Sequence, residues 1–117
     1  MSEIALEELT SRLADVRIVD VRTESEFSGT HGHECDPRQG HIPGARHLDV
    51  SELMGLDPQG VAAALELEPG QEVVAYCHSG ARSAFAAEIL RSQGYAARNY
   101  VGSWHEWSRH DDLPIEQ

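Results

Sequence analysis

The stretch Val73-Val74-Ala75-Tyr76-Cys77-His78-Ser79-Gly80-Ala81-Arg82-Ser83-Ala84-Phe85 decides the fold. Residues 72–76, EVVAY, are apolar and partly β-branched, and they read as a buried strand. From Arg82 the run RSAFAAEILRSQG places apolar side chains at Phe85, Ala86, Ile89 and Leu90, one face of a helix. Gly94 stands where a helix C-terminus favours glycine. The strand therefore ends at Cys77 and a helix opens near Arg82. This is the repeating half-unit of a parallel α/β sheet, in which sites lie at the carboxyl ends of the strands.

The flanking sequence repeats the alternation. Residues 4–14, IALEELTSRLA, fit a short edge strand running into an amphipathic helix. RIVDV, at 17–21, is a second buried strand, and Thr23 and Glu26 after it have capping-box spacing at the start of a short helix. A short strand is expected near 45–48. SELMGLDPQGVAAALEL reads as broken helix, with Pro58 opening its last segment, and Glu68-Pro69-Gly70 as a turn. AARNYV is the last strand, and Gly102 leads into a closing helix, SWHEW, whose Trp104 and Trp107 share one face directed to the core. Strands that alternate with helices and read as continuous apolar runs predict a parallel sheet flanked by helices on both faces. Only 28–40, SGTHGHECDPRQG, lacks periodicity. A loop this long is often functional or mobile.

The chain has 117 residues, which predicts a single domain over 1–117. Acidic residues number 20 and basic residues 9, for a net charge of −11. All nine basic residues are arginine. This balance argues against nucleic acid, which needs a basic stripe, and against anionic membranes. No stretch approaches the roughly 20 apolar residues of a membrane span. The N-terminus shows no signal peptide, and two cysteines, Cys35 and Cys77, make no disulfide framework. A reducing cytoplasm is the expected compartment.

Cys77 carries the chemistry. A tight loop between strand end and helix start turns several N–H groups inward as an anion-binding nest. The helix N-terminus adds about half a positive charge and Arg82 a full one, while Gly80 lets the loop bend. Such surroundings stabilise thiolate and can lower a cysteine pKa to about 3.5–7.5. Two chemistries use a cysteine–loop–arginine cradle: phosphate-ester hydrolysis through a phosphocysteine, and sulfur transfer through a persulfide. Phosphatases of this design need a wider cradle. The four residues here, His78, Ser79, Gly80 and Ala81, suit a single extra sulfur.

Cys77-His-Ser-Gly-Ala-Arg82-Ser83 resembles the active-site loop of the rhodanese family of sulfurtransferases. Asp20-Val21-Arg22 with Glu26-Phe27 resembles that family's first motif, and Gly40-His41-Ile42-Pro43-Gly44-Ala45 its second. Tyr100-Val101-Gly102-Ser103-Trp104, then Trp107 and Leu113-Pro114, is similar to its closing segment. Phe27-Ser28-Gly29-Thr30 before the long loop resembles the catalytic second domain of tandem thiosulfate sulfurtransferases. The resemblance implies a rhodanese-like, five-stranded parallel sheet. It also implies a two-step transfer in which thiosulfate or a persulfide donor loads Cys77. A thiophilic acceptor (cyanide, a thiol or a protein) then unloads it. No cofactor, nucleic acid or membrane is implied. A weakly catalytic sulfur-relay module would carry the same residues, and the short loop disfavours a phosphatase.

Secondary residues have assigned places. Substrate contacts are expected from His78, Ser79, Gly80, Ala81, Arg82, Ser83 and Arg46, the last after a turn that in this family lies near the active-site mouth. His78 is expected to face outward as a possible second cation. Asp20, at a strand end, is expected to be buried and hydrogen-bonded, and Arg22 to pair with Glu26 four residues on. His31, His33, Cys35 and Asp36 are metal-ligand types, but alternating loop residues rarely converge, so no metal site is assigned. Cys35 is a candidate for resolving the Cys77 persulfide or forming a reversible disulfide with it.

Overall fold

The two β-branched runs, RIVD and EVVAY, form strands, and three further strands flank them. A computed structural model describes residues 2–117. The strands are β1 (Glu3–Ile4), β2 (Arg17–Asp20), β3 (Arg46–His47), β4 (Glu72–Tyr76) and β5 (Ala96–Tyr100). They make one five-stranded sheet in the order β1-β5-β4-β2-β3, with every pairing parallel. The helices are α1 (Leu6–Ser11), α2 (Glu24–Ser28), α3 (Val50–Gly55), α4 (Pro58–Leu65), α5 (Ala81–Ser92) and α6 (Ser103–Trp107). The Thr23–Glu26 capping box forms, and Pro58 opens α4. Strand β4 is central, so its carboxyl end meets packed neighbours on every side.

The period-two alternation of a strand divides the core. Val73, Ala75 and Cys77 face one way, with Val19, Val21, Leu53, Val61, Leu65, Ala86, Ala87 and Leu90. Val74 and Tyr76 face the other, with Ile4, Leu9, Ile18, Tyr100, Trp104 and Trp107. Cys77 therefore points towards α5, while its neighbour Tyr76 points towards α6. Both tryptophans are fully buried, as their spacing predicts. Among the described residues no helix is long and apolar enough to cross a membrane.

Helix α5 is rotated relative to the expected face. Phe85 is 46% exposed, and the buried positions are Ser83, Ala86, Ala87 and Leu90. Those four follow helical spacing, but three are small and one of the three is polar, so hydrophobicity alone misplaces the stripe. Small side chains bring the helix close to the sheet, and Ser83 is drawn inward by polar partners described below.

The second correction concerns Arg22. It does not pair with Glu26. Its Nε lies 3.0 Å and its Nη2 2.7 Å from the Asp20 carboxylate, and Nη2 also donates to the Gly40 carbonyl at 2.6 Å. Both side chains are essentially inaccessible to water. Burial decides the choice: Asp20 at the end of β2 has no solvent to satisfy it, whereas Glu26 reaches other donors. Breaking such a buried pair leaves an uncompensated charge, at a cost of about 3–5 kcal/mol. We expect Arg22→Met to lose stability on that scale in urea unfolding, and the double variant Asp20→Leu/Arg22→Met to recover much of it.

Candidate active site

The end of β4 and the start of α5 build the loop 77–82 around the Cys77 sulfur. Gly80 adopts φ +100° as the N-cap of α5 and aims its N–H at Cys77 Sγ, 3.1 Å away. A Cβ on Gly80 would stand 2.8 Å from the Val101 carbonyl oxygen, so both conformation and space require glycine. The Ser83 hydroxyl lies 3.3 Å from the same sulfur. Burial pushes the Cys77 thiol up. Hydrogen bonds from the Ser83 hydroxyl and from the Ser83, Gly80 and Ser79 N–H groups outweigh it, so the pKa falls below the ordinary value. Neutral dipoles therefore do the work that sequence reasoning shares with Arg82.

Two residues that sequence reasoning misses hold this loop. Asn99 Oδ1 accepts from the Ser83 hydroxyl at 2.6 Å, and its Nδ2 donates to the Gly80 carbonyl at 3.1 Å. Ser83 has one hydroxyl proton, for which Asn99 Oδ1 and Cys77 Sγ compete; it turns to the sulfur when the thiolate, the stronger acceptor, forms. Ser103 Oγ accepts from the Cys77 N–H at 3.1 Å and donates to the Tyr100 carbonyl. Ser103 adopts φ +54°, an uncommon conformation for a residue with a side chain. The Trp104 and His105 N–H groups donate to the Cys77 and His78 carbonyls, each at 2.9 Å. A polar Asn in the otherwise apolar end of a strand is the one signal that points to this framework.

Arg82 is not the bare cation that the sequence suggests. Its guanidinium donates to both oxygens of Glu26, at 3.0 and 3.3 Å. Burial pushes the Glu26 carboxyl up, but Arg82 and the Thr23 groups overcome this and bring it down to about 2. His78 differs from its expected outward pose. Its ring stacks on His33 with centroids 3.6 Å apart, and its Nε2 lies 3.0 Å from Asp36. Burial lowers its pKa despite Asp36, so near neutral pH it is mainly uncharged and no second cation. Arg46 is also placed elsewhere. It pairs with Glu66 at 2.8 Å, and the Glu66 carbonyl in turn accepts from Arg17 at the amino end of β2. That is the end of the sheet away from the sulfur. Ser79 and Ala81 are exposed on the loop, and Asp20 and Arg22 lie beneath it. Cys35 is exposed and Cys77 buried, and both are free thiols.

A family model described as Rhodanese-like domain matches residues 5–110. The thiosulfate sulfurtransferase of Pseudomonas aeruginosa is 35% identical over 94% of this chain and 44% of its own length. The thiosulfate:glutathione sulfurtransferase of Homo sapiens is 34% identical over 89% of this chain and 90% of its own. The crystal structure of a probable thiosulfate sulfurtransferase superposes with a TM-score of 0.84 at 43% identity, covering 98% of this chain and 47% of that one. The chain thus spans less than half the length of the bacterial relative and nearly all of the human one.

The hydrogen bonds to sulfur set its titration. Ser83→Ala should move the pH profile of Cys77 alkylation upward, whereas Arg82→Gln should move it little; the opposite ranking would contradict the dipole assignment. Glu26 sets acid stability. Its folded pKa of about 2 lies below the ordinary 4.5, so its contribution is complete above pH 4.5 and is lost as pH falls towards 2. The urea midpoint of wild type should drop across that window, and Glu26→Gln should flatten the drop.

Proposed function

The chain belongs to the rhodanese-like domain family, and from this premise we propose that it is a sulfurtransferase that carries sulfane sulfur on Cys77, within one domain spanning 1–117. The observation that supports this best is the buried sulfur with a lowered pKa inside a ring of N–H donors. In the first step the Cys77 thiolate attacks the outer sulfur of thiosulfate or of a persulfide donor. The new S–S bond forms as the old bond breaks, and sulfite or a thiolate leaves with the electron pair. In the second step a thiophilic acceptor attacks the terminal sulfur and the Cys77 thiolate is restored. One difficult transfer becomes two easier ones.

The N–H groups of the loop His78, Ser79, Gly80, Ala81, Arg82 and Ser83 receive the persulfide anion, because preorganised dipoles need no reorganisation as charge moves. Ser83 and Asn99 orient the loop, and Asp20, Arg22 and Glu26 support it. Arg82 has a switchable part: to meet an anionic donor it must share or leave Glu26. The acidic surface also opposes a dianionic donor, which makes a thiol or protein partner better matched than free thiosulfate.

Intact mass after incubation with thiosulfate should show a one-sulfur adduct in wild type and none in Cys77→Ser. No adduct with any sulfane donor would sink the assignment, as would phosphate-ester hydrolysis lost with Cys77→Ser. Glu26→Gln keeps a side chain able to cap α2 but removes the charge that occupies Arg82. It should lower the KM for thiosulfate by up to about fivefold, the equivalent of about 1 kcal/mol for a partly exposed pair. An unchanged KM would show that Arg82 does not meet the donor.

A further inference from the structure

Beside the reacting loop, four side chains of metal-binding types converge from three separate segments. Cys35 and Asp36 come from the long loop, His78 from the cysteine loop and His105 from α6. One donor atom of each lies within 4.8 Å of all the others. Asp36 is the hub. Its oxygens lie 3.0 Å from His78 Nε2, 3.8 Å from His105 Nδ1 and 3.8 Å from Cys35 Sγ. The turn that closes with the Asp36 N–H on the His33 carbonyl lets adjacent residues 35 and 36 face the same way.

A second observation points to a ligand. The Asp36 side chain is 1% exposed, yet its Oδ2 receives no hydrogen bond. Arg109 donates to Oδ1 at 2.9 Å, and His78 Nε2 sits against both oxygens, 3.2 Å from Oδ1 and 3.0 Å from Oδ2, hydrogen-bonded only to Oδ1. A buried carboxylate oxygen without a donor is costly unless a cation faces it. The surrounding contacts hold the donors in place by means unrelated to any ion. His33 stacks on His78, the His105 N–H bonds to the His78 carbonyl, and Arg109 Nη2 bonds to the Cys35 carbonyl.

We propose that Cys35, Asp36, His78 and His105 form a site for a divalent transition-metal ion of the zinc class. One thiolate, one carboxylate and two imidazoles suit a tetrahedral ion with bonds of about 2.0–2.3 Å. Small movements of Cys35 and His105, both exposed and each now 3.8 Å from Asp36 Oδ1, close the set around the Asp36 carboxylate. The ion enters from their solvent side, and the Cys35 thiol releases its proton to water on binding. Two negative ligands balance the two positive charges of the ion, and Arg109 keeps its bond to Oδ1. With four protein ligands no coordination position remains for substrate, so the ion is a strap and not a catalyst. It ties the long loop to the residue that follows Cys77. The run His31-x-His33-x-Cys35 does not itself converge: His33 leaves for His78 and for Glu26, and His31 is exposed. The site does not rest on the sulfur-transfer reading.

Titration of the whole, reduced protein with Co²⁺ tests it. We expect one equivalent to give the intense visible bands of a tetrahedral ion together with a thiolate charge-transfer band. Zn²⁺ should erase both. Cys35→Ser should remove the charge-transfer band, His105→Ala should weaken binding at least about tenfold, the lower end of what even an outer partner is worth, and Cys77→Ser should leave the spectrum intact. Zn²⁺ should also raise the melting temperature of wild type but not that of the double variant Cys35→Ser/His105→Ala. The metal-free melts of these surface variants should match wild type, which separates lost ligation from lost folding. A weak octahedral spectrum, a spectrum unchanged in Cys35→Ser, or bands lost in Cys77→Ser would overturn the proposal.

Discussion

The buried pair of Asp20 and Arg22 is the interaction on which the site rests. Neither group has solvent, so each is tied to the other and to whatever else can neutralise it. Arg22 lies 5.6 Å from the Tyr76 ring centroid and 5.0 Å from that of Trp104, and it binds the Gly40 carbonyl. Tyr76 directly precedes Cys77, and the Trp104 N–H holds the Cys77 carbonyl. Tyr76 also accepts the Ile42 N–H, which draws in the turn after Gly40. One guanidinium thus gathers the end of β2, the Gly40 turn, the end of β4 and the start of α6 under the cysteine loop. A buried ion pair is a weak source of net stability, but it tolerates few arrangements of its neighbours.

The electrostatics above that layer are local. Net charge is −11, yet the sulfur is held by N–H and O–H dipoles at about 3 Å, well inside the roughly 8 Å over which salt screens distant carboxylates. Around the mouth the charged side chains are matched: Arg82 with Glu26, and Arg109 with Asp36. The field at the sulfur therefore comes from the Ser83 hydroxyl and the backbone N–H groups of the loop. A thiolate stabilised in this way depends on the shape of the loop more than on any single cation.

The sequence was most readable where one physical effect dominates. β-Branched runs marked β2 and β4, the Thr23–Glu26 spacing forms a real capping box, and the Cys77–Arg82 loop lies where a parallel sheet puts its sites. It was least readable where burial overrides local rules. The spacing rule pairs Arg22 with Glu26 on a helix surface, but desolvation of Asp20 claims Arg22 first and leaves Glu26 to Arg82. Periodicity counts Phe85 as core because it is large, whereas Ser83 is inside because Asn99 is there to receive its hydroxyl. His78 reads as a solvated loop residue because nothing in the local sequence says that residues 33–36 fold back onto it. Asn99 and Ser103 act through contacts made only after the sheet is assembled.

The attachment of α6 gives the two walls of the site different freedoms. On one side Trp104 and His105 bind the carbonyls of Cys77 and His78 directly, so that wall can move only if backbone hydrogen bonds break. On the other side, from Gly32 to Gly40, only the Asp36 N–H donates to a backbone carbonyl among the described residues, and the rest is held by side chains. Room for a bulky partner is made more easily by shifting contacts such as those of Gln39 and Arg38 than by opening the first wall. The cleft behaves as a vice with one fixed jaw and one sprung jaw, and the Cys77 sulfur is mounted on the fixed one.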